Sequence, residues 1–501
     1  LMELDKSMTS EKRKTKRPLV LAAVMLAMFM GAIEATIVST AMPSIVADLG
    51  GFSLYSWVFS AYLLMNTVTV LIYGKLSDIF GRKLIITIGI SLFLIGSILC
   101  GFADTMVQLI VYRFIQGLGA GAVMPVATTI VGDIYTKEER AKIQGYLSSV
   151  WGISAIFGPA IGGLLVQYVS WRYVFWMNIP LGVLSILGIW FFLHEEIDKK
   201  KPVIDYKGSF LFALSIFALM FLLIEGGVGI KWISVTSFTL ILFASICFWL
   251  FIRHERNIKE PLMPFDIWRI RSIFIANSVS FTTGVMLIGI SSFLPTFVQA
   301  VMGQNATVAG FTLTAMSIGW PIASTISGRL IISIGYRKTS MIGGILLMIG
   351  GILFIMMKPS YGPIWAGISS FFFGAGMGLT STAFIVSIQE TVEWQQRGIA
   401  TAANMFMRNF GNTVGAALLG GILNSRLQSY LNEKGASVDT SLSISSVNEL
   451  LSSEGKSHLS LEVQQILQEG LTVSLNTVYF VVFLFAIISF VFLLFMPKKE
   501  G

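Results

Sequence analysis

Long apolar runs, broken at intervals by short charged or glycine-bearing stretches, set the pattern of the chain. Their centres fall near residues 29, 63, 93, 119, 156, 183, 217, 242, 285, 320, 348, 376, 411 and 485. Since a helix needs about 20 apolar residues to cross a hydrocarbon layer about 30 Å thick, these runs predict about fourteen membrane-crossing helices. The expected fold class is therefore an all-α integral membrane protein. An even number of crossings puts both termini on one side. Placing that side in the cytoplasm brings Lys6, Lys12, Arg13, Lys14, Lys16 and Arg17 inside, with most of the 35 Lys and Arg. Arg172, Lys231, Lys358, Arg426, Lys434 and Lys456 then fall in outside loops, and Arg113 and Arg408 within spans. That asymmetry agrees with the positive-inside rule.

The breaks also divide the chain. His194 to Lys207 is charged and contains Pro202, and Arg253 to Arg271 is similar, with Pro261 and Pro264. These seams isolate a helix pair between two six-span halves. The expected units are a tail at 1–17, a six-helix bundle at 18–196, a linker with two extra helices at 197–260, a second six-helix bundle at 261–497 and a tail at 498–501. The second bundle includes a polar outer loop at 424–472, for which a short helix, a hairpin and disorder are all compatible with its composition. The halves also repeat one another. Gly74 to Gly81 recurs as Gly328 to Gly335, each followed by basic residues, and Gly117, Gly119 and Gly121 recur as Gly374, Gly376 and Gly378. In this register Asp78 corresponds to Ile332 and Arg113 to Ser370, so the special charges lie in the first half.

Composition narrows the function classes. The chain is 54% hydrophobic and only 12% charged, against about 25% charged in soluble domains, and its mean hydropathy is +0.77. Lipid is its main solvent. The net charge of +8 follows from the loops and requires no nucleic acid. Cys100 and Cys247 lie inside apolar runs, and the three histidines have no ligand spacing, so neither a disulfide framework nor a metal site is expected. No phosphate-binding loop, zinc spacing or nucleophile elbow occurs, which argues against an enzyme and against direct drive by ATP.

Several stretches carry more specific information. GKLSDIFGRK, Gly74 to Lys83, combines Gly74 and Gly81, where backbones can turn or approach closely, with Asp78, Arg82 and Lys83 at a helix end. Asp133 ends the fourth run on the same inner side, so Asp78, Arg82 and Asp133 form a candidate inner gate and latch. Ordinary positive-inside loop charge is the plain alternative. In the fifth run, Gly158, Pro159, Gly162 and Gly163 allow close helix approach and a local kink.

Five of these stretches resemble one family in order along the chain. GKLSDIFGRK resembles the loop signature of the major facilitator superfamily, and YRFIQGLGAG, Tyr112 to Gly121, its fourth-span arginine motif. WGISAIFGPAIGGLL, Trp151 to Leu165, resembles the glycine-proline motif of the superfamily's exporters. IEATIVSTAMP, Ile33 to Pro43, and WRYVFWMNIPLG, Trp171 to Gly182, are similar to the fourteen-span drug/proton antiporter branch. The resemblance implies a proton-driven multidrug exporter in a bacterial cell membrane, working as a monomer without a cofactor. Its partners would be protons, small-molecule drugs and the bilayer. An exporter of a natural product, lipid or metabolite, or a non-transporting membrane sensor on the same scaffold, remains an alternative.

Glu34 lies about 24 Å from the inner end of the first span at 1.5 Å per residue. An acid at such a depth costs about 3 kcal/mol on insertion scales, which makes it a candidate proton carrier. A glutamate hydrogen-bonded within the bundle, or snorkelling to the outer surface, is the plain alternative. The antiporter branch usually has aspartate here. Arg113 lies at a similar depth and stays protonated, so its field can bias the proton occupancy of Glu34; a static arginine bonded to carbonyls is its alternative. Asn66, Trp151, Met286, Trp320 and Asn404 are candidate cavity residues, in keeping with a greasy, adaptable cavity. The tenth span contains no acid; the resemblance implies that family members handling dications need one there, so monovalent or neutral substrates are expected.

Overall fold

The computed structural model describes residues 15–135, 137–195, 205–226, 229–258, 265–392, 397–435, 442–451 and 457–497, less the side chains of some helical residues, Asp78 among them. Its first half comprises α1 (Arg17–Leu49), α2 (Tyr55–Phe80), α3 (Arg82–Gly101), α4 (Met106–Ile134), α5 (Lys137–Tyr168), the single turn α6 (Tyr173–Trp176) and α7 (Asn178–Phe192). The inserted pair is α8 (Tyr206–Glu225) and α9 (Val235–Glu255). The second half comprises α10 (Arg271–Thr296), α11 (Ala306–Ile355), α12 (Gly362–Thr391), α13 (Arg397–Gly435), the short α14 (Ser446–Leu451) and α15 (Leu461–Leu494). Backbone groups in lipid have no water to bond, so helices are the economical choice for every span. Their free N-terminal amides meet side chains: Thr105 caps α4, Ser234 caps α9, Asn305 caps α11 and Ser460 caps α15.

Among the described residues, 11 segments are long and apolar enough to cross a membrane. One of them, the 50-residue α11, holds two of the expected spans end to end. The expected spans at α2 and α13 carry polar side chains, Asn66, Thr67 and Thr69 in one and Asn404, Arg408 and Asn412 in the other. The fourteen-span pattern read from the sequence thus maps onto the helices, two of them more polar than lipid-facing spans need to be.

The internal repeat extends to backbone geometry. Gly81 separates α2 from α3 at φ 92 and ψ 146, and Gly335 breaks α11 at φ 81 and ψ 162. Side-chain-bearing residues are rarely found there, so glycine is needed in both copies to turn one span into the next. The inserted α8 packs against α2 and α13, bridging the two halves, while α9 points large side chains such as Phe238 and Trp249 outward.

Contacts between the halves are concentrated away from the basic loops. From the middle of the molecule toward the end bearing the 424–472 loop, Thr67 and Thr413 hydroxyls are 3.0 Å apart. Gln299 donates to the Thr40 carbonyl at 3.2 Å, and Asn424 to that of Ser53 at 2.7 Å. Tyr55 donates to the Ser292 carbonyl. Part of the outer loop forms α14, whose Asn448 side chain accepts from the Phe52 backbone amide at 3.0 Å. At the basic end, Gly328 and Gly335 have no heavy atom within 4 Å of an added Cβ, and Ile332 is 89% exposed. Among the described residues, the hydrogen bonds between the halves therefore gather from the middle toward the loop end, which they close.

Gly335→Ala is expected to cost about 1 to 3 kcal/mol through backbone strain alone, because an added Cβ meets nothing. A lower apparent Tm of the purified protein would show it; an unchanged Tm would mean the turn tolerates a side chain.

Candidate functional site

Five helices of the first half converge on one buried ion pair. Arg113, on α4, donates from Nη1 to Glu34 Oε1, on α1, and to Gln116 Oε1 at 2.6 Å. Its Nε donates to the Val58 carbonyl at 3.2 Å, and its guanidinium lies 4.2 Å from the centroid of the Tyr62 ring on α2. The other carboxylate oxygen of Glu34 accepts from Asn178 Nδ2 on α7 at 2.7 Å. Ser97 on α3 closes the network by accepting from Gln116 Nε2 at 2.7 Å and from Asn178 Nδ2 at 3.3 Å. Glu34 and Arg113 are only 1% and 2% exposed, and Gln116, Asn178 and Ser97 are wholly buried.

Glu34 therefore neither snorkels nor stands alone, and Arg113 meets both the acid and a backbone carbonyl. Removing one partner of such a pair leaves an uncompensated buried charge and costs about 3 to 5 kcal/mol. Adding a proton to Glu34 is milder: it cancels the charge without removing the group, and turns one acceptor oxygen into a donor. The arrangement can thus exist in two charge states that differ in how firmly α1 and α4 are held together.

Sequence reasoning found the pair but missed its supporting groups. Gln116 lies three residues after Arg113 in the fourth-span motif, on the same helix face, and this spacing is the signal that points to it. Asn178 lies inside WRYVFWMNIPLG, a polar residue in an otherwise apolar setting. The same motif reaches α1 a second time, since Trp171 Nε1 and Arg172 Nη1 both donate to Asp48 Oδ2, at 2.9 and 2.8 Å.

At the basic end, Arg82 Nε donates to Asp133 at 2.9 Å, and Arg82 Nη1 to the Ser77 carbonyl at 3.0 Å. Glu195, which follows α7, accepts from the backbone amides of Arg82 and Lys83 at 2.8 and 3.1 Å. That is a carboxylate at the N-terminus of α3, a favourable place that the sequence reading did not single out. These described partners all belong to the first half, and through them the cluster ties the ends of α2, α3, α4 and α7 together. Asp133 is 54% exposed, and an exposed pair of this kind contributes at most about 1 kcal/mol. The surroundings of Gly74 and the side chain of Asp78 lie outside the described residues.

The glycine-proline stretch of α5 is squeezed from two sides. A Cβ on Gly158 or Gly162 would lie 2.1 or 2.2 Å from the hydroxyl oxygens of Thr36 and Thr40 on α1. One on Gly163 would lie 2.6 Å from the Ala306 carbonyl oxygen on α11, and one on Gly310 would lie 2.1 Å from that of Pro159. The stretch is therefore the place where the first half touches both its own first helix and the second half.

In the second half, α10, α11, α12 and α13 line a small cleft of about 20 Å³, with both polar and apolar side chains on its walls. Trp320 and Asn404 are among its lining residues; Met286 is not, and is fully buried. Asn66 on α2 and Trp151 on α5 are not among the lining residues. Arg408 borders the cleft, with its guanidinium 5.8 Å from the centroid of Trp320. Asn404 donates to Asn277 at 3.0 Å instead of meeting Arg408.

Membrane-crossing helices in two repeated halves, joined to each other toward one end, fit the architecture of a secondary transporter. The chain belongs to the Major Facilitator Superfamily, whose description matches residues 24–416. It is a membrane transport family, not a family of enzymes. Over 498 residues the chain is 34% identical to "Multidrug resistance protein 3" of Bacillus subtilis (strain 168), covering 98% of this chain and 97% of that one. It is also 34% identical over 428 residues to "Multidrug transporter protein MdtP" of the same organism, covering 85% and 79%. Its fold is similar to that of a solved bacterial homolog of the human lysosomal transporter Spinster, with TM-score 0.66 at 14% identity over 97% of this chain and 99% of that one.

Gly163→Ile is expected to prevent the approach of α5 to α11. Spin labels at Tyr168→Cys and Gln304→Cys, both exposed, would report a longer distance than in the protein with Gly163 intact. An unchanged distance distribution would show that the closed end does not depend on that glycine.

Proposed function

We propose that the chain is a proton-coupled efflux antiporter of a bacterial cell membrane, with both termini in the cytoplasm. It exports hydrophobic or cationic compounds, mostly monovalent or neutral, in exchange for protons. The observation that carries this reading is the fully buried Glu34–Arg113 pair, a titratable acid in hydrocarbon with all its described partners in one half. The similarity to proteins named for multidrug resistance supports the efflux direction and the breadth of substrates.

In this cycle the ionised Glu34 holds Arg113 and Asn178, keeping α1, α4 and α7 together. A proton entering from the high-proton side neutralises Glu34 and loosens its attraction to Arg113, which lets the first half take up its other arrangement against the second. Substrate binds from the basic end and leaves once the closed end has opened. Return of the proton to the cytoplasm restores the pair. No protein bond is made or broken, so the energy for transport comes from the difference in proton potential alone.

Glu34→Gln keeps the shape and the hydrogen bond to Asn178 but removes the exchangeable charge. In vesicles with an imposed pH gradient it should abolish gradient-driven transport of a fluorescent drug, with the variant still folded; transport at the unsubstituted rate would remove Glu34 from the coupling role. Arg82→Gln should slow switching while drug affinity in detergent stays unchanged. A parallel loss of affinity would count against a latch at the basic end.

A further inference from the structure

The two buried arginines are treated in opposite ways. Arg113 is met by Glu34 and Gln116, whereas among the described residues Arg408 has neither a carboxylate nor a hydrogen-bond acceptor for its guanidinium, only the face of Trp320. Arg408 lies about 16 Å along α13 from Arg397 at 1.5 Å per residue, deep in the span. The membrane portions of α10, α11 and α13 bring no acid near it, and no Asp or Glu lines the cleft. A cation at that depth marks a functional site when no internal counter-charge explains it.

The rest of the cleft lacks free acceptors less than it lacks a negative charge. The Thr283 hydroxyl donates to the Ser280 carbonyl at 2.9 Å, and the Asn404 amide nitrogen is engaged by Asn277. What the cleft presents to a solute is the N–H fork of Arg408 beside the flat ring of Trp320. A guanidinium matches a carboxylate in shape as well as in charge, and can bond to both of its oxygens. An indole face suits an aromatic ring. A positively charged solute is repelled by Arg408, the only charge lining the cleft, and must share the Trp320 face with that guanidinium.

We infer that the Arg408–Trp320 cleft is a substrate subsite for aromatic compounds bearing a carboxylate or a comparable anionic group. The anion pairs with Arg408, and the ring lies against Trp320. This rests on the transporter reading and gives its substrate class a sign. The first half supplies the proton site and the second this cleft, so the two halves contact different cargoes.

The test uses the purified full chain in detergent at neutral pH, without a gradient, and three probes of one ring system: 2-naphthoate, 2-naphthamide and 2-naphthylmethylammonium. Saturable quenching of tryptophan fluorescence measures each affinity. The expected order is naphthoate first, by about tenfold over the amide, the ratio one charge-assisted hydrogen bond supplies, with the ammonium weakest. Arg408→Gln should abolish the preference and Arg408→Lys retain part of it. Trp320→Ala should weaken the acid and the amide alike. Equal affinity for acid and amide in the unsubstituted protein would overturn the proposal whether or not any variant folds, as would a preference that survives Arg408→Gln. Because no gradient is involved, failure of proton coupling in the Glu34→Gln vesicles leaves this result standing, and the reverse also holds.

Discussion

An ion pair in hydrocarbon persists only where each of its oxygens and N–H groups has somewhere to go. Much of the first half can be understood as the means of meeting that demand for Glu34 and Arg113. Gln116 reaches both Arg113 and Ser97 because Gly96 lets α3 lie against the α4 backbone, where a Cβ would be 2.5 Å from the Gln116 Cα. Asn178 reaches Glu34 because the turn α6 brings the chain back toward α1, and Trp171 and Arg172 fasten that turn to Asp48. A change in the charge of one carboxyl group is therefore felt at once by α1, α4 and α7.

The two halves share a skeleton and differ in chemistry. Both turn between spans at a glycine of positive φ, Gly81 in one and Gly335 in the other, and both pack a G-x-G-x-G stretch closely against a neighbouring helix. In the first copy the buried arginine is neutralised from within; in the second the arginine borders an open cleft. The position matching Asp78 is Ile332, 89% exposed, and the position matching Arg113 is Ser370.

Much of the fold was legible because hydrocarbon imposes one rule on every span. Apolar runs of the right length and their charged breaks located the helices, and the repeat of glycines located the halves. The pair Glu34 and Arg113 was legible because charge is so costly at that depth that its presence alone is informative. Gln116, Asn178 and Ser97 were not singled out, since an uncharged polar side chain in a span is common and its meaning depends on which helix faces it. Glu195 was hidden for a related reason: a carboxylate after α7 looks solvated until α3 is known to begin beside it. Met286 shows the other difficulty, because a flexible apolar side chain reads equally well as cavity lining or as packing.

The seal at the closed end joins residues far apart in the chain: the Phe52 amide meets the side chain of Asn448, 396 positions later. A ribosome releases these two residues at very different times. For most of synthesis α1 and α2 must reside in the bilayer without the segment that will cover their junction, and α14 becomes available only after α13 has emerged. The entropy of closing so long a loop grows only slowly with its length, and the intervening helices have already shortened the real distance. The closed end of this transporter is thus a late event in its biogenesis, completed near the end of translation, and a nascent chain halted before α14 would lack that seal.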